Sequence, residues 1–317
     1  MTPPPSVIAL VAPQHSQDAG QGLRMLREDL LLRHGDAVEA ILFYGSCLRS
    51  GDILDGLVDL YLVVASYQDA YQSRPLVLLN RLLPPNVFYL EIPWQNRLIR
   101  AKYGIISLRD LDRSTSMRWF HSYFWGRFAQ PTGLLYARNA SVAQQVTLVL
   151  AQAVMTFVTR VLPQLPTQFD SALLWKRGLG LSYSAELRPE RPERVVQLFD
   201  TFRDRYVALT CAAMAALPYV AQAGAKGKPI SYVAEISTHK RLLSRLGWTL
   251  RKAQGKLLSL LRLIKALFTF RGGVDYLAWK LERHSGIRVD VPPKLRRHPL
   301  LYAWGLMWRL YRRGVFR

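Results

Sequence analysis

Cysteine is scarce in this chain of 317 residues, which contains only Cys47 and Cys211. Two cysteines exclude the disulfide framework of a small secreted domain, and neither has metal-ligand spacing with the six scattered histidines. Residues 1–17 are rich in proline, and no basic residue precedes their short apolar stretch, so neither a signal peptide nor a transit sequence is indicated. We therefore expect a reducing compartment and a flexible arm over residues 1–20.

Acidic residues are also few, because 22 Asp and Glu stand against 43 Lys and Arg, giving a formal net charge of +21. The imbalance is concentrated in residues 239–317, which hold nineteen Lys and Arg but three Asp and Glu, and so carry +16 of that charge. This distribution favours a partner with dense negative charge, either a nucleic acid or an anionic membrane.

Two apolar segments of this basic region fall short of the roughly 20 residues that a membrane span needs. On the first, residues 256–269, polar side chains recur every three or four positions and form one narrow stripe: Lys256, Ser259, Arg262, Lys265 and Thr269. The second, residues 300–311, contains four aromatic residues and is flanked by arginines. Both patterns are typical of helices that lie on a membrane with their cations at headgroup level. The alternative for the first is a core helix whose stripe faces solvent.

A Gly-Ser pair and a single carboxylate lie between two apolar runs near the start of the chain. Residues 40–44 predict a buried strand, after which Gly45 permits a sharp turn and the close approach of a phosphate. Ser46 offers a hydroxyl and an amide to phosphate oxygens. Residues 57–64 predict a returning strand from which Asp59 projects. The pattern is typical of the phosphate and metal corner of a nucleotidyltransferase, and its alternative is a β-hairpin with an exposed aspartate.

The second carboxylate of most nucleotidyltransferases is missing, because the position two residues after Asp59 is Tyr61. Two carboxylates on one side of a strand share metal ions, and these are most needed when an alcohol has to be deprotonated for attack. A phosphate monoester is already anionic near neutral pH and needs no such base. The absence of the second carboxylate therefore indicates either an inactive site or an enzyme whose acceptor is a phosphate.

Three further segments, residues 98–107, 123–131 and 180–188, follow in the chain. Together with the Tyr-Gly-Ser run and the single Asp, they resemble in order and approximate spacing the mitochondrial translocator-assembly-and-maintenance type of CDP-diacylglycerol synthase, also called phosphatidate cytidylyltransferase. The resemblance extends over most of the chain from about Leu42 onward. It implies transfer of a cytidylyl group from CTP to phosphatidic acid, giving CDP-diacylglycerol and pyrophosphate, with Mg²⁺ as the metal.

The residues of these motifs fit such a reaction. We assign Gly45 and Ser46 to the β- and γ-phosphates of CTP, and Asp59 to a metal that neutralises charge on the leaving pyrophosphate. Lys102 adds a point charge beside the triphosphate, and Arg127 suits bidentate contact with phosphate oxygens.

Glu186 and Arg188 alternate along the chain, so they face one side together and are assigned to the metal site and to the acceptor phosphate. The family more often has Asp at this position, and the side chain of Glu186 is longer than that of Asp by one methylene. Each candidate also has a structural interpretation: Lys102 and Arg127 as solvated bases, and Glu186 with Arg188 as a surface pair. Glu91, on a neighbouring apolar run, is a rival third carboxylate and ranks last.

The fold class that these patterns predict is α+β. We expect a nucleotidyltransferase-fold domain with a mixed sheet over residues 21–140 and a basic amphipathic membrane-binding region over residues 241–317. Helical periodicity in between, together with the resemblance, indicates a mainly helical, winged-helix-like domain over residues 141–240.

We expect the protein to be a peripheral membrane enzyme, at the cytoplasmic face of a bacterial inner membrane or the matrix side of the mitochondrial one. Two alternatives remain at this stage: a nucleotidyltransferase that acts on nucleic acid, because basic residues interleaved with aromatics also bind nucleic acid, and a catalytically inactive membrane-bound relative.

Overall fold

The computed structural model describes residues 2–12, 20–54, 56–187, 192–223 and 230–269, with only the backbone for residues 267–269. Arg188 and the predicted interfacial segment at residues 300–311 lie outside the described residues.

The described part of the chain contains both strands and helices throughout. The strands are β1 (Val38–Tyr44), β2 (Val58–Val64), β3 (Asn86–Trp94), β4 (Arg97–Ser107), β5 (Gly133–Ala137), β6 (Gln168–Asp170), β7 (Val220–Ala223) and β8 (Ser231–Ala234). The first six helices are α1 (Pro5–Val11), α2 (Gln21–His34), α3 (Ser46–Ser50), α4 (Tyr67–Ala70), α5 (Arg74–Leu82) and α6 (Leu108–Thr115). The others are α7 (Trp125–Phe128), α8 (Ala140–Val161), α9 (Ser171–Tyr183), α10 (Pro192–Thr201), α11 (Arg203–Ala215) and α12 (Thr238–Thr269). The predicted α+β class is confirmed.

The larger sheet has five strands in the order β3-β4-β2-β1-β5. Strands β2 and β4 are parallel, whereas β1 is antiparallel to both β2 and β5, and β3 is antiparallel to β4. The sheet is therefore mixed, as predicted. Its register pairs Tyr44 with Asp59 and Asp59 with Lys102. The three central strands β4, β2 and β1 thus bring the lysine, the aspartate and the Gly-Ser turn close together.

Both faces of the central strands are buried, because alternate side chains enter two different apolar clusters. Ile41 and Leu60 pack with Leu26 of α2 on one face. On the other face, Leu42 and Tyr61 belong to the cluster that α8 dominates. Because both faces are apolar, the strands have near-continuous hydrophobic sequences, and this is why they were evident from the sequence.

Helix α8 is the central helix of the larger cluster. The apolar segment Ala140–Gln164 is the one helix in the described residues that is long and apolar enough to cross a membrane by length and composition, but 67% of its most apolar window is buried inside the protein. Its Phe157 stacks on Trp175 of α9 with ring centroids 4.8 Å apart. This burial is typical of a core helix.

A smaller antiparallel sheet, in the order β6-β8-β7, accompanies α9, α10 and α11. This combination of helices with a small sheet fits the predicted winged-helix-like region. Its apolar side chains are continuous with the cluster that packs on the larger sheet, through residues such as Phe157 and Trp175. The division at residue 140 stays a prediction, since one core serves both parts.

The prediction of a flexible arm over residues 1–20 is wrong for residues 5–11. These residues form α1, and its Val7 and Val11 are buried against the α8 cluster. The apolar residues that interrupt the proline-rich start have the i, i+4 spacing of a helix face. Burial of that face against α8 and α11 fixes the segment.

Helix α12 corrects a second prediction, that Arg262 and Lys265 lie at lipid headgroup level. Arg262 Nε donates to the carbonyl oxygen of Pro84 at 3.0 Å. Lys265 Nζ donates to the carbonyl oxygen of Pro85 at 2.7 Å and also to that of Leu83. Lys265 is 6% exposed, and its burial together with the nearby Arg262 lowers the pKa of Lys265 to about 7. Arg262 and Lys265 therefore bind the loop between α5 and β3, whereas Lys256 of the same stripe is exposed.

The opposite face of α12 is apolar and exposed. With the exception of Leu263, its exposed leucine and isoleucine side chains fall within an arc of about 100° at 100° per residue: Leu242, Leu243, Leu246, Leu250, Leu257, Leu260, Leu261 and Ile264. We call this set the outer leucine face. The inward face carries Trp248 and Arg251, which are 2% and 3% exposed. The helix is amphipathic as predicted, but Arg262 and Lys265 of its polar stripe face the protein.

Close packing of α8 on α9 depends on a missing side chain at Gly178. A Cβ there would lie 2.7 Å from both Phe157 Cε1 and Val161 Cγ2. We expect Gly178→Ala to lower the free energy of unfolding by about 1–3 kcal/mol, as overpacking of a core does. Gly180→Ala, on the same helix but with open space around it, is the matched control and should stabilise by up to about 1 kcal/mol. Urea denaturation measures both, and equal effects would contradict the packing argument.

Candidate functional site

The turn between β1 and α3 is formed by Gly45. Its φ of +89° and ψ of −156° are a conformation that L side chains rarely adopt. A Cβ at this position would also lie 2.5 Å from Asp59 Oδ2. The glycine is therefore required twice, by the backbone and by the carboxylate beside it. Ser46 follows at once and is exposed at the edge of the sheet.

Asp59 and Lys102 form an ion pair across the parallel strands β2 and β4. Lys102 Nζ lies 2.8 Å from Asp59 Oδ1, and the two side chains are 37% and 18% exposed. They are register partners, so their side chains project from the same side of the sheet. The pair is a cation and an anion held side by side on rigid elements, open to a ligand that binds both.

Arg127, on α7, links the sheet to the end of α9. Its Nη1 donates to the Tyr61 hydroxyl at 3.2 Å, and its Nη2 lies 3.1 Å from Glu186 Oε1. Tyr61 is the residue that replaces the second carboxylate, and burial raises the pKa of its hydroxyl well above the ordinary value. The hydroxyl is thus neutral, and it accepts a hydrogen bond that helps to orient the guanidinium.

Tyr123 lies between two arginines. The Cζ atom of Arg127 is 4.3 Å from the centre of its ring, and that of Arg262 of α12 is 4.1 Å from the same centre. Burial raises the pKa of the Tyr123 hydroxyl, but Arg127 and Arg262 lower it, and the net pKa lies below its ordinary value. Cations over an aromatic ring are favourable and restrict its position. Tyr123 therefore connects α12 to the residues around Arg127.

One cavity of about 250 Å³ collects these groups. Six of its lining residues are the predicted ones: Gly45, Ser46, Asp59, Lys102, Arg127 and Glu186. Glu186 lies in a turn after α9, with its amide bonded to the carbonyl of Tyr183. Distant parts of the sequence therefore meet at the position that the motifs predict, while Arg188 lies outside the described residues.

The rival carboxylate Glu91 lies elsewhere. It pairs with Arg100 across the hairpin of β3 and β4 at 3.1 Å and accepts a hydrogen bond from the Tyr89 hydroxyl at 2.7 Å. It is absent from the lining of the cavity. Its low rank among the candidates agrees with this position.

Sequence reasoning missed several lining residues, namely Tyr44, Arg49, Gln130, Tyr183 and Arg194. All but Arg194 lie in or beside the motifs used above, so their proximity to a motif was the available signal. Arg194 comes from α10 and had no such signal. Only the packing of α10 against α9 brings it to the cavity.

The donor set of the cavity suits a hard divalent cation that is bound together with phosphate. The described residues contain no group of three or more His, Cys, Asp or Glu side chains placed to hold a metal by themselves. Asp59 and Glu186 supply two carboxylates, each beside a cation. Mg²⁺ commonly uses one or two carboxylates, substrate phosphates and several waters. The residues present fit that mode of binding.

Comparisons with known proteins identify the family of this chain. The model of the family described as mitochondrial phosphatidate cytidylyltransferase matches residues 70–246, more than half of the chain. The match includes Lys102, Arg127 and Glu186 and begins after Gly45 and Asp59. Among curated proteins no sequence matches significantly.

A crystal structure of a nucleotidyltransferase-like protein from Exiguobacterium sibiricum 255-15 aligns with 93% of this chain and 91% of that chain, at 10% identity and a TM-score of 0.25. A score this low carries no argument about the site. The family match rests on sequence and spans β4, α7 and α9, whose side chains meet in the cavity. The chain belongs to the mitochondrial phosphatidate cytidylyltransferase family, and it is a nucleotidyltransferase.

Proposed function

We propose that the cavity lined by Ser46, Asp59, Lys102 and Arg127 is where the cytidylyl group passes from CTP to phosphatidic acid. The observation that carries the proposal is the convergence of these four side chains, from the β1–α3 turn, β2, β4 and α7, on one cavity. The reaction handles three phosphates of one substrate and one of the other. The cavity has the excess of positive charge that these phosphates require. Its four cations are Arg49, Lys102, Arg127 and Arg194, and its two carboxylates are Asp59 and Glu186.

In the reaction, a phosphate oxygen of phosphatidic acid attacks the α-phosphorus of CTP. The bond from that phosphorus to the β-phosphate oxygen breaks, and pyrophosphate leaves with the electron pair. The attacking oxygen is already anionic, so no general base has to remove a proton. Tyr61 at the second carboxylate position is compatible with this acceptor, because the hydroxyl adds no negative charge that would repel it.

We assign the triphosphate to the side of the cavity formed by Gly45, Ser46 and Lys102. Gly45 leaves the backbone accessible, and the exposed Ser46 offers a hydroxyl and an amide. Lys102 Nζ, 2.8 Å from Asp59, needs only a small rotation of its flexible stem to reach a phosphate oxygen. Its positive charge stabilises the pyrophosphate as it leaves.

Arg127 is assigned to phosphate oxygens near the reacting centre. Its two contacts, to the Tyr61 hydroxyl and to Glu186, fix the plane of the guanidinium before substrate binds. A fixed plane favours bidentate recognition of phosphate and avoids reorganisation during the reaction. We assign the acceptor phosphate to the side of the cavity formed by Arg127; Arg188, predicted for the same phosphate, lies outside the described residues.

Asp59 and Glu186 are the residues that would hold Mg²⁺. The ion, when bound with the triphosphate, supplies positive charge to the phosphate oxygens. Asp59 keeps its place because Gly45 leaves room for its carboxylate, and Lys102 balances its charge. Glu186 is held by Arg127.

The defining experiment is incubation of the purified protein with labelled CTP, Mg²⁺ and phosphatidic acid in detergent micelles. A labelled lipid identifies the transfer. Labelled nucleic acid from a parallel incubation with single-stranded RNA, and no labelled lipid, would favour the nucleic-acid alternative. Absence of any labelled product would favour the inactive relative.

Asp59→Asn should abolish lipid labelling while leaving thermal unfolding nearly unchanged. The change removes a metal-binding charge at almost constant volume, and it also removes the partner of Lys102. Glu91→Gln is the matched control, since it makes the same chemical change on β3 outside the cavity. We expect the control to keep most of its activity. Retention of more than a small fraction of activity by Asp59→Asn would remove Asp59 from the metal site.

Lys102→Met should raise the KM for CTP and lower kcat/KM by about 10²–10³-fold, because a charge beside the leaving group is lost. The KM for phosphatidic acid should change less. Arg100→Met, two residues earlier on the same face of β4 but paired with Glu91, is the control. An effect confined to phosphatidic acid would place Lys102 on the acceptor side.

The outer leucine face of α12 is proposed to lie on the membrane that holds the lipid acceptor. Exposed cationic residues flank it along one edge, among them Arg245 and Lys256. Apolar residues that enter the bilayer boundary beside bases that meet anionic headgroups are the requirements of an interfacial helix. The proposed membrane contact is therefore made by the outer leucine face and not by Arg262 and Lys265, which face the protein.

Substitution of three residues of this face by serine should weaken binding to phosphatidylglycerol-containing vesicles by at least about tenfold, because buried apolar area is lost. The variant carries Leu250→Ser, Leu257→Ser and Leu261→Ser, at positions that are 63%, 57% and 42% exposed. Vesicle co-sedimentation measures the effect.

The matched control carries Leu32→Ser, Leu148→Ser and Leu173→Ser, at exposed positions on α2, α8 and α9. It makes the same chemical change away from α12 and should bind vesicles like the unchanged protein. Equal loss in both variants, or no loss in the first, would contradict the assignment of the face. Charge reversal of Arg262 is a poor test, since it would break the contact with Pro84.

A further inference from the structure

A second cavity, of about 320 Å³, lies beside the inward face of α12. Its walls come from the end of α5, from α6, from the loop before Tyr123 and from α12 itself. Arg81, Arg113 and Arg262 contribute to these walls, together with Trp119 and His121. None of the residues proposed to bind the nucleotide lines this cavity.

Three buried nitrogen atoms on this cavity have no hydrogen-bond partner among the residues that the structure describes. They are Trp119 Nε1, His121 Nδ1 and Arg262 Nη1. The indole and guanidinium nitrogens can only donate, and a buried donor without an acceptor is costly. These atoms are themselves buried in the wall, so the donors open to a ligand are the exposed guanidinium groups of Arg81 and Arg113.

The charge of the cavity has the sign that an anion requires. Three arginines face one carboxylate, Asp110, whose Oδ2 already accepts a hydrogen bond from the Tyr67 hydroxyl at 2.7 Å. Burial and the nearby Arg262 lower the pKa of His121 to about 3, so that its ring is neutral near pH 7. Arginines favour phosphate because their donors match its oxygens.

This cavity is separate from the one that contains Asp59. Arg262 lines the second cavity and Arg127 lines the first, and the ring of Tyr123 lies 4.1 Å and 4.3 Å from their Cζ atoms. A phosphate in the second cavity therefore sits behind Tyr123, out of contact with Lys102 and Asp59 in the first. The two cavities are therefore distinct.

Apolar surface adjoins the second cavity. Leu82 and Phe120 at its rim are 71% and 37% exposed. On α12, Gln254 and Leu258 line the cavity at angular positions next to the outer leucine face. A ligand with its phosphate among the arginines therefore has hydrocarbon-binding surface within reach.

We propose that this cavity binds the phosphate group of an anionic phospholipid, with the acyl chains lying toward the outer leucine face. The ligand is held as a headgroup and undergoes no chemistry there. This assignment is independent of the transfer reaction, since a phosphodiester lipid, which lacks the monoester phosphate of the acceptor, satisfies the same donors.

The test measures binding of dihexanoyl phosphatidylglycerol, below its micelle concentration, by isothermal titration calorimetry on the full chain. Inorganic phosphate and dihexanoyl phosphatidylcholine are titrated in parallel. The variant Arg81→Gln/Arg113→Gln removes two exposed arginines of the cavity and leaves Arg262 in place. We expect binding of the anionic lipid to weaken by at least about tenfold in this variant, because charge-assisted contacts are lost.

The matched control is Arg24→Gln/Arg97→Gln, which removes two exposed arginines from α2 and the start of β4. It should bind the lipid like the unchanged protein, and thermal unfolding and CTP binding should be unaltered in both variants. If inorganic phosphate binds as tightly as the lipid and is lost in the cavity variant, the site takes free phosphate and the lipid is rejected as its source. No binding of either ligand, or equal binding by all variants, overturns the proposal.

Discussion

The parallel pairing of β2 with β4 is the constraint on which the proposed site depends. It makes Asp59 and Lys102 register partners and holds their charged atoms 2.8 Å apart. Strand β1, paired to the other edge of β2, then brings the Gly45 turn against the same carboxylate. A cation, an anion and an open backbone turn are thus positioned by sheet hydrogen bonds. Groups on paired strands move little relative to one another, which suits the triphosphate binding proposed for this site.

Replacement of the second carboxylate by Tyr61 changes what this fold can do at its centre. The tyrosine packs on Tyr44 and Phe128, with ring centroids 5.2 Å and 5.1 Å apart, and presents its hydroxyl to Arg127. A buried second carboxylate near Asp59 would repel it and would demand more positive charge. The hydroxyl satisfies the guanidinium without that cost, and Glu186 supplies the remaining anion from the end of α9. The substitution suits an acceptor that arrives already charged.

Helix α12 packs on the protein with one face and exposes the other. Its inward side binds the loop carbonyls of residues 83–85 through Arg262 and Lys265, and Arg262 also covers Tyr123. Gly255 permits the close approach, since a Cβ there would collide with the region of Ala185 and His121. Its outer leucine face remains exposed. Through Arg262 and Tyr123 the same helix contacts the surroundings of Arg127, so the surface proposed to bind lipid and the proposed site belong to one packed region.

The sequence by itself determined the α+β class, the strand–Gly–Ser turn, Asp59 on the next strand, and the set of motifs that match the family. These depend on local patterns: continuous apolar runs for buried strands, glycine where a turn needs it, and motifs that follow one another in a fixed order along the chain. Tertiary structure alone decided the pairing of Lys102 with Asp59, the contact of Tyr61 with Arg127, the position of Arg194 at the cavity, and the burial of Val7 and Val11. It also decided which way α12 faces. Periodicity defines two faces of a helix but not which one packs, and here the carbonyls of Leu83, Pro84 and Pro85 provided acceptors that no pattern within α12 reveals.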